Sequence, residues 1–141
     1  MTILHKTKSS AETAKLGFKI GKSLRSGAIV ALTGDLGAGK TCFTKGLVKG
    51  TGIKAAVKSP TFVLLHIYTG KVPVYHYDCY RLKGPADMEK IGYEEYFYGD
   101  GITVIEWADR IPEIIPESAV RVVFRIMPGN LREIEIEGAS I

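Results

Sequence analysis

The chain has 141 residues, of which 45% are hydrophobic and 24% charged; it is long enough for one compact domain and too short for a two-domain enzyme. That balance excludes wholesale disorder, and no apolar run approaches the roughly 18 residues that would span a bilayer. The formal net charge of +4 is unevenly spread: residues 1–60 carry 11 Lys/Arg against 2 Asp/Glu, and residues 61–141 carry 8 against 13. A basic first half suits a phosphate-bearing partner, whether a nucleotide or RNA, although Lys15, Lys19, Lys22 and Arg25 also read as a solvated helix face.

Met1 to Ser10 lacks the apolar core of a secretory signal, which gives a cytoplasmic expectation. Ser9 and Glu12 have capping-box spacing, and Leu16, Ile20 and Leu24 recur at helical intervals; a helix is predicted from about Ser10 to Arg25, closed by Gly27. The continuous apolar run from Ala28 to Thr33 predicts a strand buried on both faces. A glycine-rich turn follows from Gly34 to Gly39, then a helix from about Lys40 to Lys49 with Phe43 and Leu47 on one face. Strands are predicted at Thr61–Tyr68, Val72–Asp78 and Ile102–Glu106, and a helix from Pro85, suited to a first turn, to Phe97. Val120, Val122, Phe124 and Ile126 alternate, Pro128-Gly129-Asn130 turns, and Ile134 and Ile136 return, which predicts a C-terminal β-hairpin. No internal repeat or linker interrupts the chain. The expected fold is α/β: a single domain over residues 1–141 built as a three-layer, P-loop NTPase-like sandwich with a mixed central sheet. Cys42 and Cys79 have neither zinc-like nor disulfide-framework spacing and read as small buried apolar residues.

The segment Gly34-Asp-Leu-Gly-Ala-Gly39-Lys40-Thr41 fits G-x-x-x-x-G-K-[ST] at every fixed position, between a predicted strand and a predicted helix. Gly34, Gly37 and Gly39 permit backbone geometry in which several amides converge on a phosphate, and the helix start adds its own free N–H groups. Lys40 would neutralise β- and γ-phosphate oxygens, and the Thr41 hydroxyl would reach Mg²⁺. Hydrolysis needs a carboxylate as well. Asp78 and Glu106 each close a predicted strand, and ligands of α/β sheets gather at such carboxyl ends. One acid would serve the metal shell and the other would orient water; the sequence does not say which. His66 and His76 lie within strand runs and read as packed or exposed rather than catalytic. Lys58-Ser-Pro-Thr61 is either a plain loop or one that senses a γ-phosphate through Thr61.

The phosphate loop, Val57-Lys-Ser-Pro-Thr61, Tyr75-His-Tyr-Asp-Cys-Tyr-Arg-Leu82 and Ile105-Glu-Trp107 occur in an order and spacing that resemble the TsaE (YjeE) family over nearly the entire chain. That resemblance implies a P-loop ATPase, using ATP and Mg²⁺, in the pathway that makes threonylcarbamoyladenosine at position 37 of tRNA. It implies protein partners TsaB and TsaD, whose complex it would help to turn over, with tRNA met only indirectly and no membrane. By the same resemblance, nucleotide contacts fall on Leu36, Gly37, Ala38, Gly39, Lys40 and Thr41, on Asp78, and by loose alignment on Ser10 and Arg132. The metal falls to Thr41 and Glu106, and catalysis to Lys40, Asp78 and Glu106. Thr61, Tyr80, Arg81 and Trp107 match positions the family keeps in its functional core, and they are expected to serve switching or partner contact rather than chemistry. Cys42, Cys79 and Phe62 depart from the common pattern. Arg81 is the best internal candidate for an arginine finger, and without one from a partner, intrinsic turnover is expected to be slow.

Two competing readings stand beside this one. Asp78-Cys-Tyr-Arg81 loosely resembles the acid and arginine of small-molecule, nucleoside-type kinases, although the sequence has no arginine-bearing lid insertion. A non-hydrolytic RNA-binding or assembly module would instead use the basic half on phosphates and retain its nucleotide as a structural element.

Overall fold

The computed structural model describes residues 2–35, 37–54 and 64–139. Its strands are β1 (Thr2–Thr7), β2 (Ile29–Gly34), β3 (Leu65–Tyr68), β4 (Val74–Asp78), β5 (Ile102–Glu106), β6 (Val120–Met127) and β7 (Leu131–Glu137). The helices are α1 (Ser10–Ser23), α2 (Lys40–Gly50), α3 (Pro85–Glu89) and α4 (Tyr93–Phe97). All seven strands form one sheet in the order β1-β7-β6-β2-β5-β4-β3. β6, β2, β5 and β4 run parallel, whereas β3, β7 and β1 each pair antiparallel with their neighbours. This is the expected mixed sheet, with β6 and β7 as the C-terminal hairpin.

The alternation of side chains divides the interior. Val30, Leu32, Val104, Val122 and Phe124 pack with Leu16, Ile20, Phe43 and Leu47 of α1 and α2 on one face. Ile29, Ala31, Tyr77 and Ile105 pack with Met88, Phe97 and Ile111 on the other. Helix, sheet and short helices thus make three layers around β2, which is buried on both sides as its apolar run requires.

α1 and α2 meet backbone to backbone. A Cβ on Gly17 would stand 2.1 Å from the Phe43 carbonyl oxygen, and one on Gly46 would stand 1.8 Å from that of Ala14. Gly21 and Gly50 show the same close approach one turn along, against Leu47 and Phe18. Lys15, Lys19, Lys22 and Arg25 are exposed, as a solvated face requires.

Several boundaries differ from expectation. α1 stops at Ser23, with Leu24 already extended (φ −76°, ψ 150°), ahead of Gly27. The single helix predicted over Pro85–Phe97 is two short ones, because Gly92 takes a left-handed conformation (φ 66°) that ends one and caps the next. β4 begins at Val74, after Pro73, which has no N–H for a sheet ladder. β1 was not predicted: it is an edge strand paired with β7, its side chains alternating between exposed and half-buried before Thr7. Cys79 is buried as expected, whereas Cys42 is only half-buried because it stands at the open start of α2. Among the described residues, no helix is long and apolar enough to cross a membrane.

Candidate active site

β2 ends at Gly34, and the chain turns through Gly37 and Gly39 into α2. Gly34 has φ 144° and lies so close to β6 that a Cβ would stand 2.5 Å from the Phe124 carbonyl oxygen. Gly39, at φ 106°, is the N-cap of α2 and supplies no side-chain cap. The N–H groups of the first helical turn therefore have no acceptor within the helix, as at the start of any α-helix. The Ala38 N–H donates to the Asp35 carbonyl at 3.1 Å, and Phe43 N–H to Gly39 at 2.9 Å, which tightens the turn.

Lys40 follows directly. Its Nζ donates to the carbonyls of Gly34 (2.6 Å) and Asp35 (2.9 Å), and lies 4.1 Å from the centre of the Trp107 ring. The side chain thus folds back over its own loop, against an aromatic face. Burial pulls the ammonium below its ordinary pKa, opposed by Glu106 and then by Asp109, Asp35 and Asp78. A phosphate oxygen placed in the loop would meet a cation already desolvated and aimed at the turn.

The acids arrive from the parallel strands. Asp78 and Glu106 are register partners at the ends of β4 and β5. Period-two alternation puts both, together with His76, on the sheet face that α2 covers. The Thr41 hydroxyl donates to Glu106 Oε1 at 3.5 Å, while Glu106 Oε2 lies 2.5 Å from His76 Nε2. Asp78 accepts from the Tyr80 N–H at 2.9 Å. Burial raises its carboxyl above the usual carboxylate range; the Tyr80 bond works against this and the nearby Glu106 adds to it. Two acids side by side, one of them disfavoured as an anion, make a place where a cation is welcome.

Trp107 has positive φ (60°), rare for a bulky side chain, and this bend after β5 carries the indole over Lys40. The Tyr80 ring lies 4.9 Å from Trp107 and the Arg110 guanidinium 5.5 Å from Tyr80, which extends the aromatic wall.

Two clefts share the glycine loop. One of about 460 Å³ brings together Lys40, Thr41, Asp78, Glu106, Tyr80, Arg81 and Trp107, with Gly37 and Gly39 at its edge. The other, about 340 Å³, is lined by Ser10, Asn130 and Arg132 among others and again by Gly37, Gly39 and Cys42. Arg132 Nη2 donates to the Gly37 carbonyl at 3.3 Å, tying the hairpin to the loop. The Ser9 hydroxyl accepts from the Glu12 N–H and the Glu12 carboxylate from the Lys8 N–H, one residue short of the reciprocal capping box, and these bonds fix the start of α1 beside the loop. Ser10 and Arg132, far apart in sequence, therefore meet at the loop. Ala38 is buried within the turn and lines neither cleft. Leu36, Thr61, Phe62 and the Ser-Pro-Thr segment lie outside the described residues.

Sequence reasoning missed the hydrogen bond of His76. His76 and Asp78 are two apart on one strand, so a shared face was readable, but the partner 30 residues away emerges only with the register of β4 and β5. His66, its cross-strand neighbour, is half-buried and stacks on Tyr68.

The sheet order and the layers define a three-layer α/β protein with a mixed seven-stranded sheet and a glycine-rich loop at the end of its central strand. The model of the family described as "Threonylcarbamoyl adenosine biosynthesis protein TsaE" matches residues 7–134. A tRNA threonylcarbamoyladenosine biosynthesis protein TsaE from Treponema pallidum is 43% identical over 130 residues, spanning 92% of this chain and 96% of that protein. Its namesake from Bacillus subtilis is 38% identical over 130 residues, 92% and 81% of the respective chains. The crystal structure of Bacillus subtilis YdiB superposes with a TM-score of 0.84 at 34% identity, over 96% of this chain and 84% of that one. The chain belongs to the TsaE family.

Proposed function

We propose that this protein is a Mg²⁺-dependent ATP hydrolase that sustains turnover of a TsaB–TsaD complex in threonylcarbamoyladenosine modification of tRNA position 37. One observation carries the reading: Lys40, Thr41, Asp78 and Glu106, from three separate elements, line one cleft at the mouth of the glycine loop. The base and its ribose would lie in the adjoining cleft between Ser10 and Arg132, on the other side of the shared glycines.

The donors suit magnesium. The Thr41 hydroxyl and Glu106 carboxylate are hard oxygen ligands 3.5 Å apart, with Asp78 beside them on the next strand. Among the described residues, no three His, Cys, Asp or Glu form a ready-made cage. Mg²⁺ needs none, since it is commonly held by one or two carboxylates together with substrate phosphates. Bound there, it would neutralise charge on the phosphate oxygens.

The chain's own residues do the rest. The loop amides and α2 N-terminus hold the phosphates, and Lys40 exchanges its carbonyl partners for phosphate oxygens. Thr41 and Glu106 would hold the metal, and Asp78, which accepts from the Tyr80 N–H, would orient a water. Arg81 lines the same cleft. If a finger must come from outside, intrinsic turnover stands about 10³–10⁵ below the stimulated rate.

The test is association with TsaB and TsaD, with and without ATP, for wild type and Lys40→Ala, alongside ATP turnover. Nucleotide-dependent association and stimulated turnover, both lost in the variant, are expected. Rapid hydrolysis by the isolated protein would refute partner gating, and association under no nucleotide condition would refute the pathway role.

A further inference from the structure

The mechanism above leaves one buried group unused. His76 is fully buried at the middle of β4, and its Nε2 meets Oε2 of a Glu106 that is itself only 5% exposed. In the register of β4 and β5, His76 stands beside Val104, and Glu106 stands beside Asp78. The contact is therefore diagonal: it draws the glutamate back from the end of its strand. The other oxygen, Oε1, is the one that faces the Thr41 hydroxyl.

The ring's second nitrogen, Nδ1, is buried and has no hydrogen-bond partner among the described residues. A residue kept only for packing would carry no such unpaired atom, because an apolar side chain fills core space without it. What imidazole adds at this position is a nitrogen, Nε2, that as its N–H tautomer donates to the carboxylate bonded to the Thr41 hydroxyl. Glutamate has three rotatable side-chain bonds, and among the described residues His76 is the hydrogen-bond partner on its Oε2 side.

We propose that His76 is a positioning residue that fixes the rotamer of Glu106, so that Oε1 is presented beside Thr41 before the metal arrives. This rests on the reading that the cleft takes a magnesium-bound nucleotide. Outer-shell partners of this kind typically change metal affinity by about 10–100-fold when removed.

The experiment is calorimetric titration of ATP into wild type, His76→Asn and His76→Gln, in EDTA and across a series of Mg²⁺ concentrations. Asparagine leaves the Nε2 position empty; glutamine can place an amide N–H near it. The Mg²⁺ concentration at which binding tightens is expected to rise by about 10-fold or more in His76→Asn, with affinity in EDTA unchanged and partial recovery in His76→Gln. An unchanged Mg²⁺ midpoint in a folded His76→Asn would overturn the proposal, as would equal losses with and without metal, which mark a merely structural role. If the asparagine variant does not fold, His76→Gln is compared in wild-type and Glu106→Gln backgrounds. Its effect on the midpoint must vanish in the second background, and persistence there overturns the proposal. Wild-type ATP binding indifferent to Mg²⁺ would instead sink the parent reading of the site.

Discussion

Replacing Gly46 with alanine tests the link between helix packing and the site. The added methyl would lie 1.8 Å from the Ala14 carbonyl oxygen, 2.7 Å from its carbonyl carbon and 3.0 Å from its Cα. All three are backbone atoms, so no rotamer change relieves the clash; α1 and α2 must part by more than an ångström along this seam. Overpacking of this kind costs about 1–3 kcal/mol, and the better helix propensity of alanine offsets about 0.8–1.0 kcal/mol of it. A backbone clash belongs in the upper part of the range, leaving a net loss of about 1–2 kcal/mol. For a chain of this size that lowers Tm by about 2–8 °C. Thermal unfolding followed by circular dichroism measures it. Since α2 begins with Lys40 and Thr41, nucleotide affinity should weaken in parallel. The double variant with Ala14→Gly should be no more stable, because trimming the Ala14 side chain leaves its carbonyl in place. A Tm equal to or above wild type would refute the reasoning.

Other predictions follow from the site. Glu106→Gln should raise the Mg²⁺ concentration that ATP binding needs, leave binding in EDTA nearly unchanged, and lower hydrolysis by about 10²-fold or more, read by phosphate release; normal activity would favour a structural nucleotide. Asp78 has a raised folded-state pKa, so its ionisation costs stability as pH rises from the ordinary carboxylate value through the raised one. Asp78→Asn, which can still accept from Tyr80, should therefore raise apo-protein Tm at neutral pH, with the gain fading as pH falls below the ordinary carboxylate range. Burial pushes the Cys79 thiol up to about 12, so an alkylating reagent at neutral pH should label Cys42 and spare Cys79. As Cys42 borders both clefts, MgATP should protect it, which mass spectrometry would detect.

The residues that bend the chain sharply were the most legible. The apolar run at β2, the glycines after it and the periodic start of α2 each impose local geometry, and the loop stands where they place it. Gly92 carried the break between α3 and α4, but the periodicity around it reads through unless a left-handed glycine is allowed for. β1 was illegible for another reason: Thr2-Ile-Leu-His-Lys-Thr7 is mixed in polarity, and its stability as a strand comes from β7, at the far end of the chain. The spacing Gly17-x-x-x-Gly21 and Gly46-x-x-x-Gly50 was a readable signal of close helix approach that periodicity of apolar residues alone passes over. In the site, Asp78 and Glu106 were legible as strand ends, whereas the His76 contact depends on pairing register, which no local pattern specifies. Ser10 and Arg132 came only through family resemblance, since their meeting at Gly37 depends on how the hairpin folds across the sheet.

The most direct measurement of the central claim is isothermal titration of MgATP into the isolated protein, run in parallel with Lys40→Ala. Saturable binding of one nucleotide per chain, abolished in the variant while its fold is retained, is the predicted result. No heat from any magnesium nucleoside triphosphate, or equal affinity in the variant, would contradict the claim that the loop after β2 cradles a triphosphate.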